Sequence, residues 1–289
     1  MMNSFKAYLE SYNIIHLIVD TNTLVSNATL VSENKSELNI LDQRVENGKK
    51  LVILKSDEKL ILRKDYHVLI NDLEMVPLYI GNITKTTEFD LNNYFDDWLG
   101  VKYTKTNVTF RLWAPLAKEV ILVINDTYKY NMNYLDSGVY EIKLPNKKEY
   151  LDKASYHYLI RNDFEFIKVI DPYCTNIDPT FTKSYIIDLK KTYQFKYSFV
   201  DNINDKIDNA IIYETHVRDF TISLPLKHKG KFLGIVESKD IEKHGINYLK
   251  DLGITHVQFA PVNAFGGVDY TITDPFDKNF KYNWGYNPI

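Results

Sequence analysis

The sequence has very little cysteine. Cys174 is the only one among 289 residues, so no disulfide framework can form within the chain. A lone thiol fits a reducing compartment, and a cytoplasmic location is expected. An excess of charge of one sign is also missing: 35 Lys and Arg stand against 38 Asp and Glu, for a formal net charge of −3. That balance gives no bias toward nucleic acid or anionic membranes, and the basic residues do not interleave with aromatics as a nucleic-acid surface would need. No stretch approaches the roughly 18 to 20 apolar residues of a membrane span. The opening MMNSFKAYLESYN has no basic segment running into an apolar one, so no signal peptide is read. There is no phosphate-cradling glycine loop and no serine in a nucleophile elbow. The seven histidines lack zinc-type spacing, and no metal or other cofactor is expected.

The apolar fraction of 45% and charged fraction of 25% are those of a globular chain, and the length suffices for two or three domains. Tyrosine is abundant, with 22 copies. Its flat apolar ring and polar tip suit amphipathic binding surfaces, and equally suit half-buried strand positions.

Three regions differ in pattern. Residues 1–94 read as a β-rich domain: NIIHLIV (13–19) has the β-branched content of a strand, and 51–70 reads as short strands broken at Ser56-Asp57-Glu58 and near Lys64-Asp65. Only FKAYLESY, near the start, suggests a short helix. The acidic, aromatic segment 86–100 reads as a linker or domain edge. Residues 95–193 carry several short strands: VTFRLW (108–113), with Val108, Phe110 and Leu112 on one face, then EVILVI, VYEIKL, SYHYLIR and FEFIKVID, the last two flanking an Asn162-Asp163 turn. That spacing predicts an all-β sandwich. From about 205 to 289 the pattern becomes α/β. AIIYETHVRDF (210–220) and ITHVQFAPV (254–262) read as strands buried on both faces. KDIEKHGINYLKDLG (239–253) reads as the helix between them, capped by Gly253. Strand, helix, strand implies parallel pairing through a right-handed crossover.

Candidate chemistry gathers in this last region. His216, Arg218 and Asp219 follow the first strand, at the end where α/β sheets bind ligands, or they form a structural polar cluster under a loop. Glu214 lies within the same apolar strand and needs a partner, expected to be basic, unless it serves as a general acid whose pKa burial raises. In KYNWGYNPI (281–289), Tyr282, Trp284 and Tyr286 are two apart, so an extended segment sets them on one face with Asn283 and Asn287 on the other. Ring faces beside amides suit a sugar, whose C–H face stacks while its hydroxyls require partners. Aromatic loops also pack against cores.

Four stretches, IIYETHVRDFT (211–221), KGKFLGIVE (229–237), YLKDLGITHVQFAPV (248–262) and YNWGYNP (282–288), resemble bacterial type I pullulanases of the α-amylase superfamily, in the order and rough spacing of that family. TFRLWAPLAKEVILVI (109–124) and VIDPYCTNID (169–178) resemble the carbohydrate-binding module preceding the barrel of debranching enzymes. FKAYLESYNIIHLIV (5–19) resembles the N-terminal domain of their intracellular members. The resemblance implies a β-rich N-terminal domain (1–94), a β-sandwich glycan-binding module (95–193) and the first part of a catalytic (β/α)8 TIM barrel (205–289), truncated. It implies hydrolysis of α-1,6-glucosidic bonds in pullulan, glycogen or branched dextrins, with retention through a covalent glycosyl-enzyme. By resemblance Tyr286 stacks under the sugar at the cleavage site, while Tyr282, Asn283 and Trp284 shape that loop. His216 and Arg218 support the floor, and Trp113 serves the sandwich module. The family's catalytic Asp and Glu residues come from later strands, so this chain is expected to be inert alone. A non-catalytic α-glucan-binding protein is the alternative. The partner expected in either case is an α-glucan, with neither nucleic acid nor membrane.

Overall fold

The computed structural model describes residues 5–147, 151, 153–192, 208–238, 244–274 and 276–288. Contacts divide the chain into two units, 1–192 and 193–289.

The first unit opens with eight strands: β1 (Lys6–Ser11), β2 (Ile14–Asp20), β3 (Ala28–Val31), β4 (Lys35–Glu37), β5 (Asn39–Glu46), β6 (Lys49–Lys55), β7 (His67–Ile70) and β8 (Glu74–Ile80). They form one sheet in the order β4-β3-β7-β8-β1-β2-β6-β5. Its core holds Ala7, Leu9, Ile15, Leu17, Val52, Leu54 and Ile70. The short helix expected at the start is therefore a strand. In KAYLES, Ala7 and Leu9 are buried while the residues beside them are less so, a period of two. β1 is also held on both edges, antiparallel to β2 and parallel to β8, and these partners outweigh the helix propensity of Ala, Leu and Glu. The expected break at Ser56 is present, but 60–63 is loop rather than strand.

The acidic segment read as a linker contains a helix, α1 (Thr87–Asn93). The Thr86 hydroxyl caps it by accepting from the Phe89 N–H at 3.1 Å, and Glu88 and Asp90 in the first turn suit the positive end of the helix dipole.

Nine strands follow: β9 (Gly100–Tyr103), β10 (Asn107–Trp113), β11 (Glu119–Ile124), β12 (Tyr128–Asn131), β13 (Asn133–Tyr134), β14 (Val139–Pro145), β15 (Ser155–Arg161), β16 (Phe166–Val169) and β17 (Ser184–Tyr185). One sheet runs β13-β14-β10-β9, the other β12-β11-β15-β16 with β17 on β15. Val108, Phe110 and Leu112 share the buried face of β10, as the alternation predicted. They pack with Val120, Leu122, Ile124, Tyr156 and Tyr158 of the second sheet, which makes a sandwich.

The sandwich and the first sheet meet through charges. Asp65 binds Lys118 at 2.6 Å and Arg161 at 3.0 Å, while Arg161 also holds Glu119 at 2.7 Å. The Arg63 guanidinium lies 3.6 Å from the centre of the Tyr134 ring.

In the second unit, β18 (Ile212–Thr215) pairs in parallel with β19 (His256–Phe259). Among the described residues, three helices lie between them in sequence: α2 (Val217–Thr221), α3 (Phe232–Glu237) and α4 (Gly245–Asp251). The expected helix over 239–253 is described from 244 onward, and its first residues lie outside the described ones. Gly253, at φ +74°, ends α4 as expected: its N–H donates to Lys250 O at 2.9 Å, and that of Ile254 to Leu249 O at 3.0 Å. One expectation is corrected. The two strands are not buried: Ile212 is 62% exposed, and Val257 and Phe259 are each 40% exposed. Two strands make a sheet too narrow to enclose its own apolar side chains. Among the described residues, no helix is long and apolar enough to cross a membrane.

Candidate functional site

The site lies where β18 and β19 end. Thr215 O accepts from the Ala260 N–H at 2.8 Å, so both strands release their chains at the same level. The first leads through His216 into α2, and the second enters the long loop that begins at Pro261. The segment 281–288 folds back onto this loop through a bridge between Phe265 and Pro288 and a hydrogen bond from Gly266 N–H to Asn287 O at 2.9 Å.

Gly285 sets the shape of that return. Its φ is +90°, and a Cβ there would come within 3.0 Å of the Pro261 carbonyl oxygen, closer than real Cβ atoms come. The Asn283 carboxamide oxygen accepts from the Gly285 N–H at 2.6 Å and tightens the same turn. The expected two-residue alternation therefore fails after Trp284: the bend at Gly285 separates Tyr286 from Tyr282 and Trp284. Those two remain neighbours, with ring centres 5.9 Å apart in an edge-to-face arrangement.

Asp219 is the polar centre. It accepts from the Tyr282 hydroxyl at 2.6 Å and from Arg218 Nη1 at 3.0 Å, and His216 Nδ1 lies 3.7 Å away. Arg218 sits 5.6 Å from the centres of both the Phe280 and Tyr282 rings, and the His216 ring is 5.6 Å from that of Tyr282. Partial burial works against ionisation of Asp219, but the hydrogen bonds from Tyr282 and Arg218 and the nearby His216 outweigh it and hold its carboxyl below the usual carboxylate range. The same hydrogen bond pushes the Tyr282 phenol upward. Among the described residues, Glu214 has no basic partner. It accepts from the Tyr286 hydroxyl at 3.2 Å, which pushes that phenol up as well.

A cavity of about 410 Å³ opens beside this cluster, lined by His216, Arg218, Phe265, Tyr270, Phe280 and Asn283 among others. His216 Nδ1 and Arg218 Nε are buried with no hydrogen-bond partner among the described residues. Tyr282, Trp284 and Tyr286 are 43%, 61% and 64% exposed, which leaves ring faces open. Apolar rings beside an amide can receive a polyol.

The structure thus brings together His216, Arg218, Tyr282, Asn283 and Trp284, and joins Tyr286 to Glu214. Trp113 belongs to the first unit. Its indole Nε1–H donates to Asn93 O at 2.9 Å and to Ser137 O at 3.1 Å, and the residue is 43% exposed. Sequence reasoning missed Trp98, which lies under Lys102 at 4.1 Å and Arg111 at 4.4 Å. The acidic segment around it masked the basic residues that reach it from β9 and β10.

Comparison with known proteins gives the chain its relatives. Residues 98–174 match the family model of carbohydrate-binding module 48 (isoamylase N-terminal domain). A crystal structure of pullulanase complexed with maltotriose from Anoxybacillus sp. LM18-11 overlays 99% of this chain with a TM-score of 0.86 at 29% identity. The chain belongs with the pullulanase-type proteins of the α-amylase family. It corresponds to their N-terminal portion. The pullulanase of Bacillus subtilis (strain 168) is 30% identical over 99% of this chain, and the chain spans 40% of that protein. The type I pullulanase structure from the same organism, complexed with maltose, overlays the whole chain with a TM-score of 0.82 at 29% identity. The Anoxybacillus protein is spanned to 42%.

Proposed function

We propose that residues 1–289 form an α-glucan-binding portion of a pullulanase-type glycoside hydrolase. The observation that carries this reading lies at the strand ends: a cavity lined by His216, Arg218, Phe265, Tyr270, Phe280 and Asn283, and beside it the exposed rings of Tyr282, Trp284 and Tyr286 on the loop that carries Asn283. The likeness to pullulanase structures holding maltotriose and maltose supports it. In this reading β18 and β19 begin a (β/α)8 barrel, Tyr286 stacks under the sugar at the cleavage site, and Tyr282 and Trp284 wall the approach. The sandwich offers a second glycan contact at Trp113, with its N–H edge fixed and its ring exposed.

The reaction proposed for the whole protein is hydrolysis of α-1,6-glucosidic bonds in pullulan, glycogen or branched dextrins, with retention. It requires two carboxyl groups about 5 to 5.5 Å apart, one of them a nucleophile. The carboxylates at this site are already engaged, Glu214 by Tyr286 and Asp219 by Tyr282 and Arg218. They orient binding side chains. Residues 1–289 therefore hold glucan without cleaving it. A cytoplasmic location belongs to the same proposal, and fractionation of cells expressing the protein tests it.

Calorimetric titration of the chain with maltotriose, run beside a reducing-sugar assay on pullulan, tests both halves. Binding without new reducing ends is expected. Absence of binding to maltotriose and to glycogen sinks the glucan-binding reading, and new reducing ends sink the claim of inertness.

A further inference from the structure

The cavity at the strand ends carries a charge that a neutral glucan does not use. Arg218, Lys231 and Lys281 line it together with His216, and no Asp or Glu is among its lining residues. These cations arrive from three separate segments: α2, the KHKGK run at 227–231, and the residue just before YNWGYNP. They gather in a chain whose formal net charge is −3, so the local sign opposes the global one. Asp219, just outside the lining, compensates part of this through Arg218 Nη1, yet Arg218 Nε stays buried with no hydrogen-bond partner among the described residues. Neither Lys231 nor Lys281 forms an ion pair with a carboxylate among the described residues, whereas Lys49, Lys59, Lys64, Lys118 and Lys183 of the first unit all do. Glu237, which contacts the basic run, does so through His228. Lys229 lies over the Phe276 ring at 4.8 Å, adding a fourth cation to the same segment.

One arginine and two lysines lining one cavity can recognise an anion with several acceptor oxygens, and a phosphate monoester carries roughly −1.5 to −2 charges and three such oxygens. The rings beside it recognise a sugar face. We propose that this cavity binds α-glucan chains bearing a phosphate monoester in preference to neutral ones, with the phosphate received by Arg218, Lys231 and Lys281 while the sugar lies against the aromatic loop. The inference rests on the glucan-binding reading above and names a substrate class within it. Because both lysines are exposed, the preference is electrostatic and must weaken with salt.

Affinities of the chain for maltotriose and for maltotriose 6-phosphate, compared by calorimetry at low salt, supply the test. The phosphorylated sugar is expected to bind at least about tenfold more tightly, with the ratio shrinking as ionic strength rises past about 0.15 M, where the screening length is near 8 Å. In K231A/K281A the ratio falls toward one, and in K231R/K281R it is kept, which separates lost charge from lost folding. Equal affinities for the two sugars, with maltotriose still bound, overturn this inference and leave the glucan reading standing. Inorganic phosphate that displaces the phosphorylated sugar as well as the sugar displaces itself overturns the glucan source of the anion. If neither sugar binds, both readings fall.

Discussion

Replacing Gly285 with alanine perturbs the aromatic loop at its tightest point. The residue sits at φ +90°, a conformation that L side chains rarely adopt, and leaving glycine costs roughly 1–3 kcal/mol of backbone strain there. The added Cβ also meets the Pro261 carbonyl oxygen within 3.0 Å, and the neighbour is backbone, which cannot rotate aside. To restore ordinary contact, 3.4 Å or more, the loop must lift away from the end of β19. That motion breaks the Asn283 turn and the registers Phe265–Pro288 and Gly266–Asn287, and it withdraws Tyr286 from Glu214. A misplacement of about 1 Å in positioning groups can cost two orders of magnitude where geometry decides. For binding alone we expect at least a tenfold loss of maltotriose affinity, or about 1.4 kcal/mol. Both β-sheet cores lie elsewhere in sequence, so far-UV circular dichroism should be unchanged. Titration calorimetry reads the first quantity. Wild-type affinity in G285A would show that the loop does not hold the sugar, and the site argument would fail.

Three other outcomes follow. Asp65→Ala leaves Lys118, whose side chain is 7% exposed, without its 2.6 Å partner. The loss should be about 2 kcal/mol in urea unfolding, between an exposed pair and a broken buried one, because Asp65 is itself 44% exposed. Adding Lys118→Met should recover part of it. Asp171 is fully buried and accepts from the hydroxyls of Tyr156 at 2.8 Å and Tyr158 at 3.4 Å, so Asp171→Ala should cost about 3 kcal/mol by stranding two buried donors, and a loss under about 1 kcal/mol would refute that account. Asp219 titrates below the usual range, so its hydrogen bonds to Tyr282 and Arg218 are complete above the unfolded value near 3.9 and are lost as pH falls through the depressed one. The contribution of Asp219 to maltotriose affinity should thus be constant above about pH 5 and be lost as pH falls through the depressed value, and Asp219→Ala should remove that acid-side loss while weakening binding above it.

The sandwich was legible because its strands alternate cleanly. Val108, Phe110 and Leu112 each take a fully or nearly buried place, and Asn162-Asp163 marks the hairpin between β15 and β16. β1 was not legible, because Ala, Leu and Glu favour helix locally and only the partners β2 and β8, distant in sequence for β8, decide otherwise. α1 was hidden by acidic residues that read as a turn but complement a helix start. At the site, residue types named the participants, while their pairing came only from the fold. Asp219 reaches Tyr282 across 63 residues, and Tyr286 reaches Glu214 across 72, a partner that sequence reasoning expected to be basic. The bend at Gly285 undid the simple alternation, since period-two reasoning assumes extended backbone throughout.

The central claim is that the loop and strand ends of the second unit receive an α-glucan. A crystal structure of the 289-residue chain grown with maltotriose tests it most directly. The account predicts a glucose ring stacked on Tyr286, with hydroxyls reaching His216, Arg218 or Asn283. A sugar bound only at Trp113 of the sandwich, with the strand-end cavity empty at saturating maltotriose, would contradict it.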